Sequence, residues 1–290
     1  MCDEDTVADN NEYLDKIGDV TRRSFAVISA AALSACATSE ENAAQGVVEN
    51  DVEIRTPDGV ADCYFVHPAK GRYPAVLVWP DIVGLRPAFR KMGKRLAESG
   101  YSVLVVNPFY RAAKAPVLPE GASFQDPANR AKLLPLAQSL TADTTKTDAV
   151  AFINWLDDQR CVDKLRKIGT TGYCMGGPMT LRTAAAVPHR VGAGGSFHGG
   201  NLVTTQPNSP HLLIPQTKAA YLYAIAQNDD ASQPGAKDVL RDAYAKAGLS
   251  AEIEVYPAMH GWCALDSAVY NHDQAEKAWS RLLALLQKSL

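Results

Sequence analysis

Short apolar runs rich in β-branched residues alternate along the chain with longer stretches in which apolar positions recur every three or four residues. Ala75-Val76-Leu77-Val78-Trp79 and Ser102-Val103-Leu104-Val105-Val106 are near-continuous apolar runs of strand length, the pattern of strands covered on both faces. Between them Phe89, Met92, Leu96 and Ala97 share one helical face, and Gly100 marks the end of that helix. Upstream, strands over 52–56 and 61–66 form a hairpin that turns at Pro57-Asp58-Gly59. Downstream, the spacing of Val150, Phe152, Ile153 and Leu156 predicts a helix over about 143–159. Strands follow over 168–173, 191–196, 220–225 and 252–256, with helices near 234–248 and 273–289. Residues 111–128, rich in alanine and proline, read as a loop. Repeated strand–helix alternation predicts an α/β fold with one mostly parallel central sheet and helices on both faces. No internal linker interrupts it, so 48–290 is expected to be a single domain.

Residues 1–47 read as a leader. Thr21-Arg22-Arg23-Ser24-Phe25 places a twin-arginine pair at the head of Ala26-Val27-Ile28-Ser29-Ala30-Ala31-Ala32-Leu33. That segment is too short to span a bilayer and has the length of a signal sequence's apolar core. Leu33-Ser34-Ala35-Cys36 resembles a lipoprotein box, and Ala35-Cys36-Ala37 also fits ordinary signal cleavage. The expectation is export by a twin-arginine-type signal, to a periplasmic or membrane-anchored lipoprotein form through Cys36. A leader that does not function would leave the protein in the cytoplasm. The acidic start, Cys2-Asp3-Glu4-Asp5, is unusual for such a signal.

The formal net charge of −3 and the scatter of charges give no basic face, so nucleic acid is not an expected partner. The six cysteines fall in no CxxC pair, which excludes a zinc ribbon or a thioredoxin-like centre. Their wide spacing does not suggest a disulfide framework.

Gly172-Tyr173-Cys174-Met175-Gly176-Gly177 lies between a predicted strand and a helix and has the form G-x-nucleophile-x-G. A tight strand-to-helix turn forces the nucleophile into an unfavourable backbone conformation. It also crowds the positions two before and two after, where only glycine fits. The following helix end favours a thiolate at Cys174, and the Met175 N–H is free to receive an oxyanion. On this type of fold the acid and then the histidine follow the nucleophile along the chain. His260 sits in a loop just after the strand that ends at Tyr256, where the base belongs. His198 has no acid-bearing strand between it and Cys174 and is read as a pocket-wall or structural histidine. The acid should follow the strand over 220–226, where Asn228-Asp229-Asp230 offers two candidates. Asp230 is preferred, because Pro234 four residues later starts the next helix. Asp229 is the other choice.

With these residues assembled, residues 50–290 resemble the dienelactone hydrolase (carboxymethylenebutenolidase) family of α/β-hydrolases. The resemblance is carried by G-Y-C-M-G-G at Cys174, D-x-x-x-P at Asp230, A-M-H-G-W at His260 and W-P-D-I-V-G-L over 79–85. It implies a single α/β-hydrolase domain with no metal and no organic cofactor. In that scheme a cysteine attacks an enol-lactone carbonyl and water releases the acyl-enzyme. It further implies Ile82 N–H as the second oxyanion donor, Asp81 as the group that takes the thiol proton, and Arg111 as an anchor for a substrate carboxylate. Tyr173 and His198 join these as candidates for substrate binding or thiol activation. Where a second arginine is expected, a few residues after His260, this chain has Cys263-Ala264-Leu265-Asp266. That departure points to a neutral or bulkier ester or lactone as the small-molecule partner. The rivals are a carboxylesterase or thioesterase on the same scaffold, a non-catalytic binding protein, and a thiol redox protein in which Cys263 pairs with Cys174. Oligomeric state is not legible.

Overall fold

A computed structural model of the chain describes residues 4–21 and 46–290. The twin-arginine pair, the apolar run after it and Cys36 lie outside the described residues. Within 4–21 the chain forms α1 (Glu4–Thr21), a helix in the segment that the sequence pattern assigned to a leader. The hairpin follows as β1 (Val47–Thr56) and β2 (Gly59–Pro68), whose register pairs Thr56 with Gly59 across the turn. The alternation then runs β3 (Ala75–Trp79), α2 (Pro87–Glu98), β4 (Ser102–Val106), α3 (Pro127–Gln138), α4 (Ala142–Asp157) and β5 (Ile168–Tyr173). It continues through α5 (Gly176–Ala186), β6 (Val191–Phe197), β7 (Ala220–Ala226), α6 (Gln227–Ser232), α7 (Ala236–Ala247), β8 (Ala251–Tyr256) and α8 (His272–Ser289).

The eight strands among the described residues form one sheet, in the order β1-β2-β4-β3-β5-β6-β7-β8. The first two pairings, β1 with β2 and β2 with β4, are antiparallel, and every pairing from β4 to β8 is parallel. Side chains alternate across the sheet, so neighbouring residues feed two cores. Leu77 and Leu104 pack with Phe152 and Leu156 of α4 and Leu181 of α5. Val76, Val78, Val103 and Val105 pack with Phe89 and Leu96 of α2 and Leu282 and Leu286 of α8. Burying each such side chain stabilises the fold by about 1.5–3 kcal/mol. β3 and β4 are buried along their whole length, which is why they read as unbroken apolar runs.

From β3 the chain steps to β4 on one side of the sheet and later to β5 on the other. Loops leaving the carboxyl ends of β3 and β5 therefore diverge, and a crevice opens between them. One helix departs from the expected pattern. α3 occupies residues beyond the alanine- and proline-rich loop, capped by Asp126, whose carboxylate accepts the Ala128 N–H at 2.8 Å. Its periodicity is faint because Pro135 lies inside it and only Leu133 is buried.

Candidate active site

Cys174 follows β5 directly and has φ +53, a left-handed conformation that a side chain adopts only under constraint. Its N–H donates to the Phe197 carbonyl at 3.0 Å, and its own carbonyl accepts the Gly177 N–H at 3.0 Å, where α5 begins. The crowding expected of the turn is present. A Cβ on Gly172 would meet the Gly176 carbonyl oxygen at 2.1 Å, and one on Gly176 would meet the Trp79 carbonyl oxygen at 2.3 Å. β3, β5 and α5 thus close on the turn at backbone contact, which fixes where the sulfur points.

His260 stands in the loop after β8, followed by Gly261 at φ +104. Its Nδ1 lies 2.9 and 2.8 Å from the two carboxylate oxygens of Asp229, which leaves Nε2 for the sulfur of Cys174. Its N–H donates to Asn228 Oδ1 at 2.8 Å. Burial works against a charge on the ring, but the Asp229 carboxylate and the Cys174 sulfur outweigh it and push the His260 pKa up to about 10. The Asp229 carboxylate and the Cys174 sulfur thus favour the protonated ring, and the same attraction favours a thiolate opposite it.

Asp230, the acid preferred on sequence grounds, is not on the histidine. Its carboxylate is bound by Lys237 Nζ at 2.7 and 2.8 Å. Both aspartates stand in the first turn of α6, where adjacent side chains project about 100° apart, so only one can face His260.

His198 lines the same cavity, 1% exposed, with φ +39 and its N–H on the Ala224 carbonyl at 2.8 Å. Its ring packs 4.9 Å from that of His260 and 5.1 Å from that of Trp262. Neither ring nitrogen has a partner among the described residues, and burial together with the neighbouring His260 keeps the ring neutral.

The remaining expected residues separate. Ile82 and Asp81 line the cavity, and neither the Ile82 nor the Met175 N–H has a backbone acceptor among the described residues. Asp81, however, is committed elsewhere. Its two oxygens accept from Arg86 at 2.7 and 2.9 Å, and Oδ1 also accepts the Val83 N–H at 2.9 Å. Arg86 is held from its other side by Asp266, at 2.7 and 2.8 Å. Arg111 is outside the cavity altogether, bound to Asp148 at 2.8 and 2.7 Å and to Asp58 at 3.0 and 2.6 Å. It ties the β1–β2 turn to α4, so the expected carboxylate anchor is an architectural ion pair. Tyr173 points to the opposite side of β5 from the cavity, stacked 4.9 Å from Phe197, as strand alternation requires beside an outward Cys174. Cys263 lines that second, smaller hollow with Tyr173 rather than the cavity of Cys174.

The cavity holds about 310 Å3 and is bounded outside by the 121–125 and 266–269 segments, the former inside the alanine- and proline-rich loop. Thr6, Val7 and Asn10 of α1 also face it. Sequence reasoning missed Asn228 and all three α1 residues. The polar run after β7 signals Asn228, whereas nothing in the pattern of α1 does so for the others.

With this geometry in view, the comparisons with known proteins are decisive for the family. The sequence profile of the dienelactone hydrolase family matches residues 61–290. The chain belongs to the dienelactone hydrolase family. It is therefore an enzyme, a hydrolase of the lactone and ester class. A curated relative from Methylorubrum extorquens, named "Putative carboxymethylenebutenolidase", is 28% identical over 245 residues, covering 82% of this chain and 80% of its own length. The fold is shared with the crystal structure of the "Putative Dienelactone Hydrolase" of Klebsiella pneumoniae, at a TM-score of 0.72 and 23% identity, over 84% of this chain and 99% of that one. The dienelactone hydrolase of Anabaena variabilis superposes over 84% of this chain and 99% of its own, with a TM-score of 0.61 and 17% identity.

Proposed function

We propose that this hydrolase opens uncharged lactones and esters through a thiolate nucleophile, Cys174, with His260 as acid and base and Asp229 as the group that orients it. The observation that carries the reading is the bond from His260 Nδ1 to both oxygens of Asp229, with Nε2 left for a sulfur on a left-handed turn. The thiolate adds to the carbonyl carbon, and the C=O π electrons move to oxygen, beside the Met175 and Ile82 N–H groups. Losing one such donor costs about a hundredfold in rate or more. Collapse of the adduct expels the alkoxide or enolate, which takes the Nε2 proton of His260. The now neutral imidazole accepts a proton from water as that water attacks the thioester, and the second collapse returns the thiolate.

The cavity's charges favour a neutral acyl group. Arg86 on its wall is already neutralised by two carboxylates, the His260 ring faces Asp229, and Arg111 is spent on Asp148 and Asp58. The separate hollow of Cys263 gives no support to a redox pairing with Cys174.

The test is hydrolysis of an enol-lactone and a short aryl ester by the full chain, beside Cys174→Ala. Turnover by the wild type and a silent variant is the expected result. A variant with full activity would remove Cys174 from the mechanism.

A further inference from the structure

α1 stands upstream of the region matched by the family profile, yet it reaches the catalytic cavity. Thr6, Val7 and Asn10 share one helical face, and that face forms part of the cavity wall above Cys174 and His260. The contact is polar as well as steric. Asn10 Nδ2 donates to the His260 carbonyl at 3.0 Å. The preceding residue, Asp9, accepts through Oδ2 from Asn228 Nδ2 at 3.5 Å, and Asn228 Oδ1 accepts the His260 N–H at 2.8 Å. The helix therefore reaches the backbone of His260 on both sides, directly through Asn10 and by way of Asn228.

Among the side chains of α1 that the structure describes, none is fully buried. Its inward residues Thr6, Val7, Asn10, Tyr13 and Leu14 are all only half-buried, and none enters the core of the domain. A helix outside the core, joined to it over residues 6–16 by half-buried side chains, belongs to the low-stability end of a fold, where local opening does not require the rest to unfold.

We propose that α1 is a detachable wall of the active site that sets the size of the acyl or alcohol group admitted to Cys174, with Val7 as the steric stop and Asn10 as the latch on the His260 loop. The proposal deepens the hydrolase reading, since the size selection is exerted on that reading's substrate. A single methylene accommodated or rejected in a pocket changes specificity by about tenfold.

The experiment uses the full chain with Val7→Trp, Val7→Ala and Asn10→Ala, and has two readouts. The first is kcat/KM over a series of aryl esters from acetate to octanoate. The second is the alkylation rate of Cys174 by iodoacetamide and by a bulky fluorescein maleimide, with Cys174→Ala in each background as the blank. Val7→Trp is expected to lower octanoate hydrolysis and maleimide labelling about tenfold each while sparing acetate and iodoacetamide. Val7→Ala and Asn10→Ala are expected to shift both ratios the other way. If no ester is turned over but the labelling ratios move as stated, the hydrolase reading fails and the wall stands. If all three variants leave both ratios at the wild-type value, the wall is overturned, whatever the chemistry of Cys174.

Discussion

Asp229 and His260 meet through a single ring nitrogen: both carboxylate oxygens lie within 2.9 Å of Nδ1, although the residues are separated by 31 positions in the chain. The adjacent acid, Asp230, is turned away to Lys237. Asp229→Asn should therefore lower kcat by about a thousandfold or more, because an amide that keeps the geometry no longer enforces the tautomer or stabilises the imidazolium. Asp230→Asn should leave kcat within about twofold and remove a half-exposed ion pair worth about 0–1 kcal/mol. Steady-state kinetics on the two variants checks the assignment; a larger loss in the Asp230 variant would reverse it.

The pH dependence follows from a His260 pKa raised from 6.5 to about 10, where Asp229 and Cys174 together overcome the opposing effect of burial. A raised histidine stabilises the folded state fully below its unfolded pKa and loses that contribution as the pH climbs through the folded one. The gap in melting temperature between wild type and His260→Gln should accordingly close between about pH 6.5 and 10. Alkylation of Cys174 should already be near its plateau at neutral pH, and His260→Gln should move its midpoint toward the ordinary thiol value of about 8.5. A wild-type rate that climbs tenfold per pH unit from 6 to 8 would mean a neutral thiol at rest.

Gly172→Ala places a methyl 2.1 Å from a backbone oxygen, not against a side chain that can swing aside. The expected cost is about 3 kcal/mol, the upper end for overpacking, or roughly 10 °C in melting temperature for a domain of this size. Differential scanning calorimetry reads it directly. An unchanged transition would mean that β5 and α5 do not close as tightly as the turn demands.

Removing Arg111 should cost stability rather than affinity. Asp148 is 1% exposed and would be left buried without its cation, a loss of about 3 kcal/mol. Arg111→Ala should thus melt early while KM for a neutral lactone and for one bearing a carboxylate changes equally. A selective rise in KM for the carboxylate substrate would restore Arg111 to substrate binding.

The strands, the strand-to-helix turn at Cys174 and the loop that carries His260 were legible because each is imposed by local chemistry: β-branched apolar runs, glycines that backbone contact enforces, and a strand end. The Asp229–Asp230 choice was not, since it depends on the rotational phase of a short helix, and a proline four residues on says nothing about phase. Arg111 was misread because its partner Asp148 is distant in sequence and only the fold brings the two together. Asp81 lines the cavity, but Arg86 occupies it through a pairing that the spacing of the two residues does not announce. α1 was hidden for a different reason. It falls in the 1–47 segment read as a leader, and its contacts with the cavity are a few hydrogen bonds to His260 and Asn228 that only the fold brings together.

The cavity is built from parts with different tolerances for change. Its floor, Cys174 and His260, hangs on strand ends whose glycines and buried neighbours admit almost no variation. Its rim, made of α1 and the 121–125 and 266–269 segments, supplies no strand to the sheet. Replacement of the rim leaves the register of every strand untouched, so a new substrate range is reachable by randomising those three segments alone. For laboratory evolution the molecule divides itself into a fixed cavity floor and an exchangeable aperture.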